Sequence, residues 1–190
     1  MSKKPIIDFR ALPVSDEDKH RAGQSIRAQS FKKGEAIFNS GEVCTNIYLI
    51  RSGLVKLSYW TRDGKELIKS FIAEGGVFGS LYSQLTGKGA TYSAIALEDV
   101  EVDTLSYSIL EALCKDNPDL QNVLLSFFQQ LALSKETREY EFLCLSAQDR
   151  YQSFCDQNLD LVKRIKQADL ALYLGITPVA LSRLKHREAG

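Results

Sequence analysis

Residues 167–187 read QADLALYLGITPVALSRLKHR, and they carry the groups best suited to hold a polyanion. Between Lys163 and Arg187 six cations (Lys163, Arg164, Lys166, Arg183, Lys185 and Arg187) face a single acid, Asp169, on a chain whose net charge is zero. A local basic excess on a neutral chain implies a localised anionic partner and argues against indiscriminate binding to nucleic acid. The same stretch has the spacing of a helix-turn-helix. With Gln167 as its first residue, Leu170, Leu174, Ile176, Leu181 and Leu184 fall where two short helices need apolar contact. Ala171 falls where the helices cross closely, and Gly175 falls in the turn, where a left-handed backbone is needed. Thr177 is placed to cap the second helix, with Pro178 as its first residue. A plain αα-hairpin of a helical core explains the apolar positions, but not Ser182, Arg183, Lys185, His186 and Arg187 crowding one end. The expected partner is double-stranded DNA. Arg183 stands one step past the capped turn, where its two-pronged guanidinium reaches a guanine edge, with Thr177, Val179 and Ser182 beside it. Gln167, Lys185 and Arg187 are expected on the phosphate backbone, where they fix register without reading sequence.

Other chemistry is thinly represented. The cysteines, Cys44, Cys114, Cys144 and Cys155, include no C-x-x-C pair and no N-terminal cluster, and the histidines are His20 and His186 alone. No metal, iron–sulfur or redox site is therefore expected, and the thiols read as reduced. No nucleophile–base pair or phosphate loop stands out, so the chain is not expected to be an enzyme. No run approaches the roughly 18 apolar residues of a membrane span. The N-terminus, MSKKPIIDFRALPVSDEDKHR, lacks the apolar core of a secretory signal. A cytoplasmic protein without a membrane partner is the expectation.

Two kinds of element must position the basic end. Asn117 before Pro118 opens a helix that runs to about Leu145, and Leu120, Leu124, Phe127, Leu131, Ser134, Arg138 and Glu141 follow at steps of four and three on one seam. A helix near 40 Å long is expected to pair along that seam with its copy. Upstream, nine of the twelve glycines fall between Gly34 and Gly89 and separate short runs such as IYLI, LVKLSYW, ELIKSFIA and SAIALEDVEVDTL. Val55, Leu57 and Tyr59 alternate with Lys56 and Ser58, the pattern of a half-buried strand. Thr61-Arg62-Asp63-Gly64 supplies a turn, and Leu67 to Ile72 returns as the hairpin partner. Many short strands with glycine turns make a barrel, a roll or a sandwich. Residues 1–14 read as a loosely tied arm, Ser15 as the opening of a short helix, Ser106 to Lys115 as another, Ser146 to Asp149 as a capped helix start, and Asn158 to Arg164 as a brief link.

The order of these parts, with the motifs FKKGEAIFNSGE, IYLIRSGLVKLSY, VFGSLYSQLTGKGATYSAIA, NPDL and LGITPVALSRL, resembles the catabolite-activator/fumarate-nitrate-regulator (Crp/Fnr) family of bacterial transcription factors over about residues 15–187. The resemblance implies an α+β fold: an N-terminal double-stranded β-roll of jelly-roll type over residues 1–116, a dimerisation helix over 117–145, and a helix-turn-helix over 146–190. It implies a homodimer that binds DNA and contacts RNA polymerase, with a β-roll that senses a small-molecule effector. The family's cyclic-nucleotide cassette falls on Gly79-Ser80 and Ala90-Thr91, with Leu81 and Lys88 beside them and Lys88 close enough in sequence to stand in as a cation. Its Glu and Arg positions are Ser80 and Ala90 here, so no cofactor is predicted and a cyclic nucleotide is disfavoured. Of the family's Glu-x-x-Ser-Arg readers, Ser182 and Arg183 carry over while Val179 replaces the Glu, free to meet a thymine methyl instead. The usual β wing is expected to be reduced or absent. A signalling module whose helical tail touches only protein is the competing reading.

Overall fold

The computed structural model describes residues 25–115 and 117–188, with side chains as far as Lys185. The expected arm and the helix expected at Ser15 lie outside this range.

Eight strands, β1 (Arg27–Phe31), β2 (Ala36–Phe38), β3 (Asn46–Ser52), β4 (Val55–Trp60), β5 (Glu66–Ile72), β6 (Val77–Phe78), β7 (Ser93–Ala96) and β8 (Val100–Ser106), form two four-stranded sheets. Their orders are β1-β8-β3-β6 and β2-β7-β4-β5, and all the pairings are antiparallel. Alternate residues of both sheets point inward: Tyr48, Ile50, Phe78, Val100 and Val102 from one meet Phe38, Val55, Leu57, Ala94 and Ala96 from the other in a single core. This is the two-layer roll, and the hairpin of β4 and β5 turns where expected, with Gly64 at φ 79°.

Leu81–Thr86 form a short helix, α1. Ser80 makes it possible by accepting a hydrogen bond from the Ser83 amide at 3.2 Å. Helix α2 (Tyr107–Cys114) leads into the long α3 (Pro118–Cys144), which Asn117 caps by accepting from the Leu120 amide at 2.9 Å. Then follow α4 (Ala147–Gln157), α5 (Leu159–Arg164), α6 (Gln167–Leu174) and α7 (Pro178–Glu188). Helix α5 replaces the expected link. It has Asp160 in its first turn and Lys163 and Arg164 in its last, each on the side the helix dipole favours. Among the described residues no strand lies between α3 and the helix-turn-helix.

The first part of the four–three seam of α3, Leu120 to Phe127, does not face outward. Leu120 is fully buried against the roll, and Leu124 and Phe127 pack on the same cluster with Leu49, Leu105 and Leu110. Further along, the Arg138 guanidinium lies 3.8 Å over the Tyr173 ring, and Glu141 accepts from Ser153 Oγ at 2.6 Å. Spacing identifies a packing face, but not whether the same chain or a copy covers it. Here the same chain covers Leu120, Leu124 and Phe127, while Ser134 is exposed. Leu125, Phe128, Leu133, Tyr140 and Leu143 stay exposed.

The β4–β5 hairpin is covered on both faces, which overturns the half-buried reading of β4. Ser58, expected outward, is fully buried. Its side of the hairpin packs under α6 and α4, where Leu54, Ile68 and Phe71 join Tyr151, Phe154, Ile165, Leu170, Ala171, Leu174 and Leu181. Ion pairs frame this seat. Lys56 Nζ bridges Glu66 at 2.8 Å and Asp169 at 3.1 Å, all three side chains largely buried. Burial opposes the Lys56 charge, yet the bonds to Glu66 and Asp169 outweigh it and hold the ammonium above its ordinary pKa. Arg164 holds Glu74 at 2.9 Å and Glu98 at 2.6 Å.

The Arg164 bond draws the Glu74 carboxyl from its ordinary 4.5 down to about 2. A depressed carboxylate contributes stability that is complete above its unfolded pKa and is lost as pH falls through the folded one. The stability gap between the wild type and Arg164→Ala is therefore expected at neutral pH, and it should close between pH 4.5 and about 2. Urea titrations of both proteins across that range check it, and a gap that stays constant with pH would contradict the pairing.

Candidate functional site

The helix-turn-helix is built as its spacing demands. Leu170, Ala171, Leu174 and Leu181 are each at most 2% exposed, with Ile176 and Leu184 packed beside them. Gly175 has φ 71°, ψ 30°, and Thr177 Oγ1 accepts from the Ala180 amide at 3.1 Å, capping α7. The face left over carries the expected readers: Thr177, Ser182 and Arg183 are exposed, and Val179 is 62% exposed. Gln167 opens α6 and is also exposed, whereas Lys185 is half-buried. Arg187 lies on the α7 backbone, and its side chain falls outside the described residues. A helix with an apolar inner face and an exposed Ser-Arg outer face is shaped to enter a groove.

Three residues that the sequence did not single out for this role hold the turn. A Cβ on Gly175 would lie 2.6 Å from Phe142 Cζ of α3, so the ring presses directly on the turn. Arg138 of α3 donates to the Tyr173 carbonyl. Arg150 of α4 donates to the Leu174 carbonyl at 3.1 Å and the Leu145 carbonyl at 2.7 Å. Both arginines meet carbonyls at the C-terminal end of α6, where unsatisfied acceptors and the helix dipole favour a cation. Arg138 stood in the seam as a polar residue, and the spacing alone carried no signal for Phe142 or Arg150.

Of the six positions at and beside the cassette, Lys88 alone carries a charge, and the two positions where the family has its Glu and Arg present none. Ser80 is fully buried, with its hydroxyl used as the α1 cap. Ala90 is buried, and its amide and carbonyl bond to Glu42 and Gly41 at 2.8 Å each. Gly79 accepts from the Tyr92 hydroxyl at 2.6 Å. Leu81, Lys88 and Thr91 are exposed.

With this geometry in view, comparison with known proteins gives a consistent result. The cyclic nucleotide-binding domain family matches residues 28–117. The chain is 30% identical over 113 residues to the global nitrogen regulator of Synechococcus elongatus, covering 58% of this chain and 50% of that one. It is 28% identical over 174 residues to the fumarate and nitrate reduction regulatory protein of Vibrio cholerae, covering 85% of this chain and 68% of that one. The chain thus spans half the length of the first relative and about two thirds of the second. The solved structure of FixK2 from Bradyrhizobium japonicum superposes with a TM-score of 0.74 at 21% identity, covering 85% of this chain and 83% of that one. The roll, the long helix and the helix-turn-helix therefore share the fold of FixK2. Together these likenesses indicate transcription regulators of the Crp/Fnr type as the chain's relatives. Among the described residues no helix is long and apolar enough to cross a membrane.

The Phe142–Gly175 contact is testable. Gly175→Ala should cost about 1–2 kcal/mol for the left-handed backbone plus the strain of displacing Phe142. In a Phe142→Ala background only the backbone part should remain. A double-mutant cycle by denaturant unfolding measures the difference, and strict additivity would show that the ring does not press on the turn.

Proposed function

We propose that this chain is a cytoplasmic, homodimeric, sequence-specific DNA-binding transcription regulator without catalytic activity. Its α7 would lie in the major groove. The observation that carries the reading is the exposed Ser182–Arg183 face on a helix whose opposite side is fully packed. The competing reading, a tail that contacts only protein, leaves the basic end and the capped, solvent-facing α7 without a role. RNA polymerase is the further protein partner that the family implies.

The dimer would form on the outward side of α3. Leu125 and Phe128 are 56% and 37% exposed, on a different side from the Leu120–Phe127 face that the roll covers. Leu125→Asp with Phe128→Asp should give monomers by light scattering. A wild type already monomeric at micromolar concentration would sink this part of the reading.

Arg183 and Lys185 separate base reading from backbone binding. They lie two residues apart, about 200° around the helix, so both cannot face one base edge. Arg183→Ala should cost roughly 1–3 kcal/mol on a selected operator and much less on scrambled duplex. Lys185→Ala should weaken both duplexes by similar factors and flatten the salt dependence by about one charge. Titrations at several salt concentrations check this. If Arg183→Ala weakens both duplexes equally, Arg183 is a phosphate clamp and the base-reading assignment fails.

A further inference from the structure

Two routes connect the reader helix α7 to the long helix α3. Along the chain, α4, α5 and α6 all intervene. Through space, the gap between α3 and the end of α6 is one side chain wide. The Arg138 guanidinium donates to the Tyr173 carbonyl and lies 3.8 Å from the centre of the Tyr173 ring, so it grips α6 by backbone and side chain at once. It also lies 5.3 Å from the centre of the Phe142 ring, one turn further along α3, and that ring presses on Gly175. Arg138 and Phe142 thereby hold Tyr173 and Gly175, on either side of Leu174, the last residue of α6.

Tyr173 is confined further by Phe71 of β5 and Phe154 of α4, whose ring centres lie 5.4 and 5.0 Å away. A ring packed among a guanidinium and two other rings is fixed in place, because interiors are dense and deform little. The neighbouring polar ties do not join α3 to α6. Glu141 accepts from Ser153 of α4, and Arg150, which binds the Leu174 carbonyl, itself stands on α4. Among the described residues, the Arg138 bond is the one hydrogen bond that runs from α3 directly to α6. Arginine suits the task, because its planar group stacks on an aromatic ring while its charge meets a carbonyl at the negative end of a helix.

On the dimeric DNA-binding reading above, on which this step rests, we propose that Arg138 is a positioning residue that determines specificity: it sets the separation of the two reader helices, and so the spacing between the half-sites of the operator. In a dimer formed along α3, the angle between α3 and α7 in each chain fixes the distance between the two copies of α7. Two-fold helix-turn-helix dimers meet half-sites about one helical turn of DNA apart, or a multiple of it. Each added base pair moves a half-site by about 3.4 Å and turns it by about 35° around the duplex. A reader free to pivot meets several spacings, whereas a reader gripped at Tyr173 and Gly175 meets one. Arg138 makes this selection through α6 and touches no DNA itself.

The test uses the full chain and an operator selected from random duplexes by the wild type. Titrations compare a single half-site with inverted pairs at the selected spacing and at one base pair fewer and one more. Wild type is expected to prefer the selected spacing by at least about tenfold, because a second half-site out of reach adds no affinity. Arg138→Met keeps the apolar stem and loses the bond. With folding checked by circular dichroism and dimerisation by light scattering, it should level the three spacings to within about threefold. Its affinity for the single half-site and its salt dependence should stay at the wild-type value, which neither a lost DNA contact nor a general loss of fold allows. Arg138→Lys should restore the spacing preference, since an ammonium still donates to the Tyr173 carbonyl. A folded Arg138→Met dimer that keeps the wild-type preference, or one that loses single half-site affinity as much as paired, would overturn the proposal and leave the DNA-binding reading standing. A wild type that binds no duplex would instead remove the DNA-binding reading, and this step with it.

Discussion

Two faces of one hairpin have to be covered at once, and the molecule is arranged around that requirement. The inner side of β4 and β5 fills the roll with Val55, Leu57 and Ile72. The outer side offers Leu54, Ile68 and Phe71, which would be an apolar patch in water if α4 and α6 did not lie on it. Phe71, Phe154 and Tyr173 close the contact, with ring centres 5.0 to 6.3 Å apart. Each fully buried side chain of this size contributes roughly 1.5–3 kcal/mol, whereas partly exposed pairs such as Arg164–Glu74 are worth about 0–1 kcal/mol. Apolar burial therefore holds the helix-turn-helix down. The Lys56–Asp169 and Arg164 bridges define where on the hairpin it sits.

The far end of α3 completes the arrangement. Phe142 presses on Gly175, while Arg138 and Arg150 bind the carbonyls of Tyr173 and Leu174, so the turn between α6 and α7 is gripped by the long helix and by α4. Helix α7 thus takes its position from two sources, the hairpin beneath α6 and the helix end beside the turn. A change at either one would reach the exposed Ser182–Arg183 face through packed side chains. Packed contacts of this kind transmit displacement because interiors are dense and deform little.

What the sequence made legible was local. Gly175, Thr177 and the five apolar positions of the helix-turn-helix lie within one short segment, and their spacing alone specifies left-handed turn, cap and packing face. The Asn117 cap and the hairpin turn at Gly64 were readable for the same reason. What stayed hidden was contact across the chain. The seam of α3 was legible as a seam, yet nothing in Leu120, Leu124 or Phe127 says that the roll of the same chain covers it. Ser58 read as an outward polar residue because a helix more than a hundred residues downstream is what buries it. Lys69 sits in an ordinary IKSF run, yet it is the extra residue of a β-bulge, a property of the pairing with β4 rather than of either strand.

The central claim is that the helix-turn-helix and the β4–β5 hairpin form one cooperative unit. Native-state hydrogen exchange tests it most directly, by comparing the β4–β5 ladder amides with those of Leu170, which donates to Lys166 at 3.0 Å, and Leu181, which donates to Thr177 at 3.0 Å. If the shared core joins them, both sets open with the same free energy and the same denaturant slope. Helix-turn-helix amides that open at distinctly lower free energy and with a smaller slope, while the hairpin stays protected, would contradict the claim.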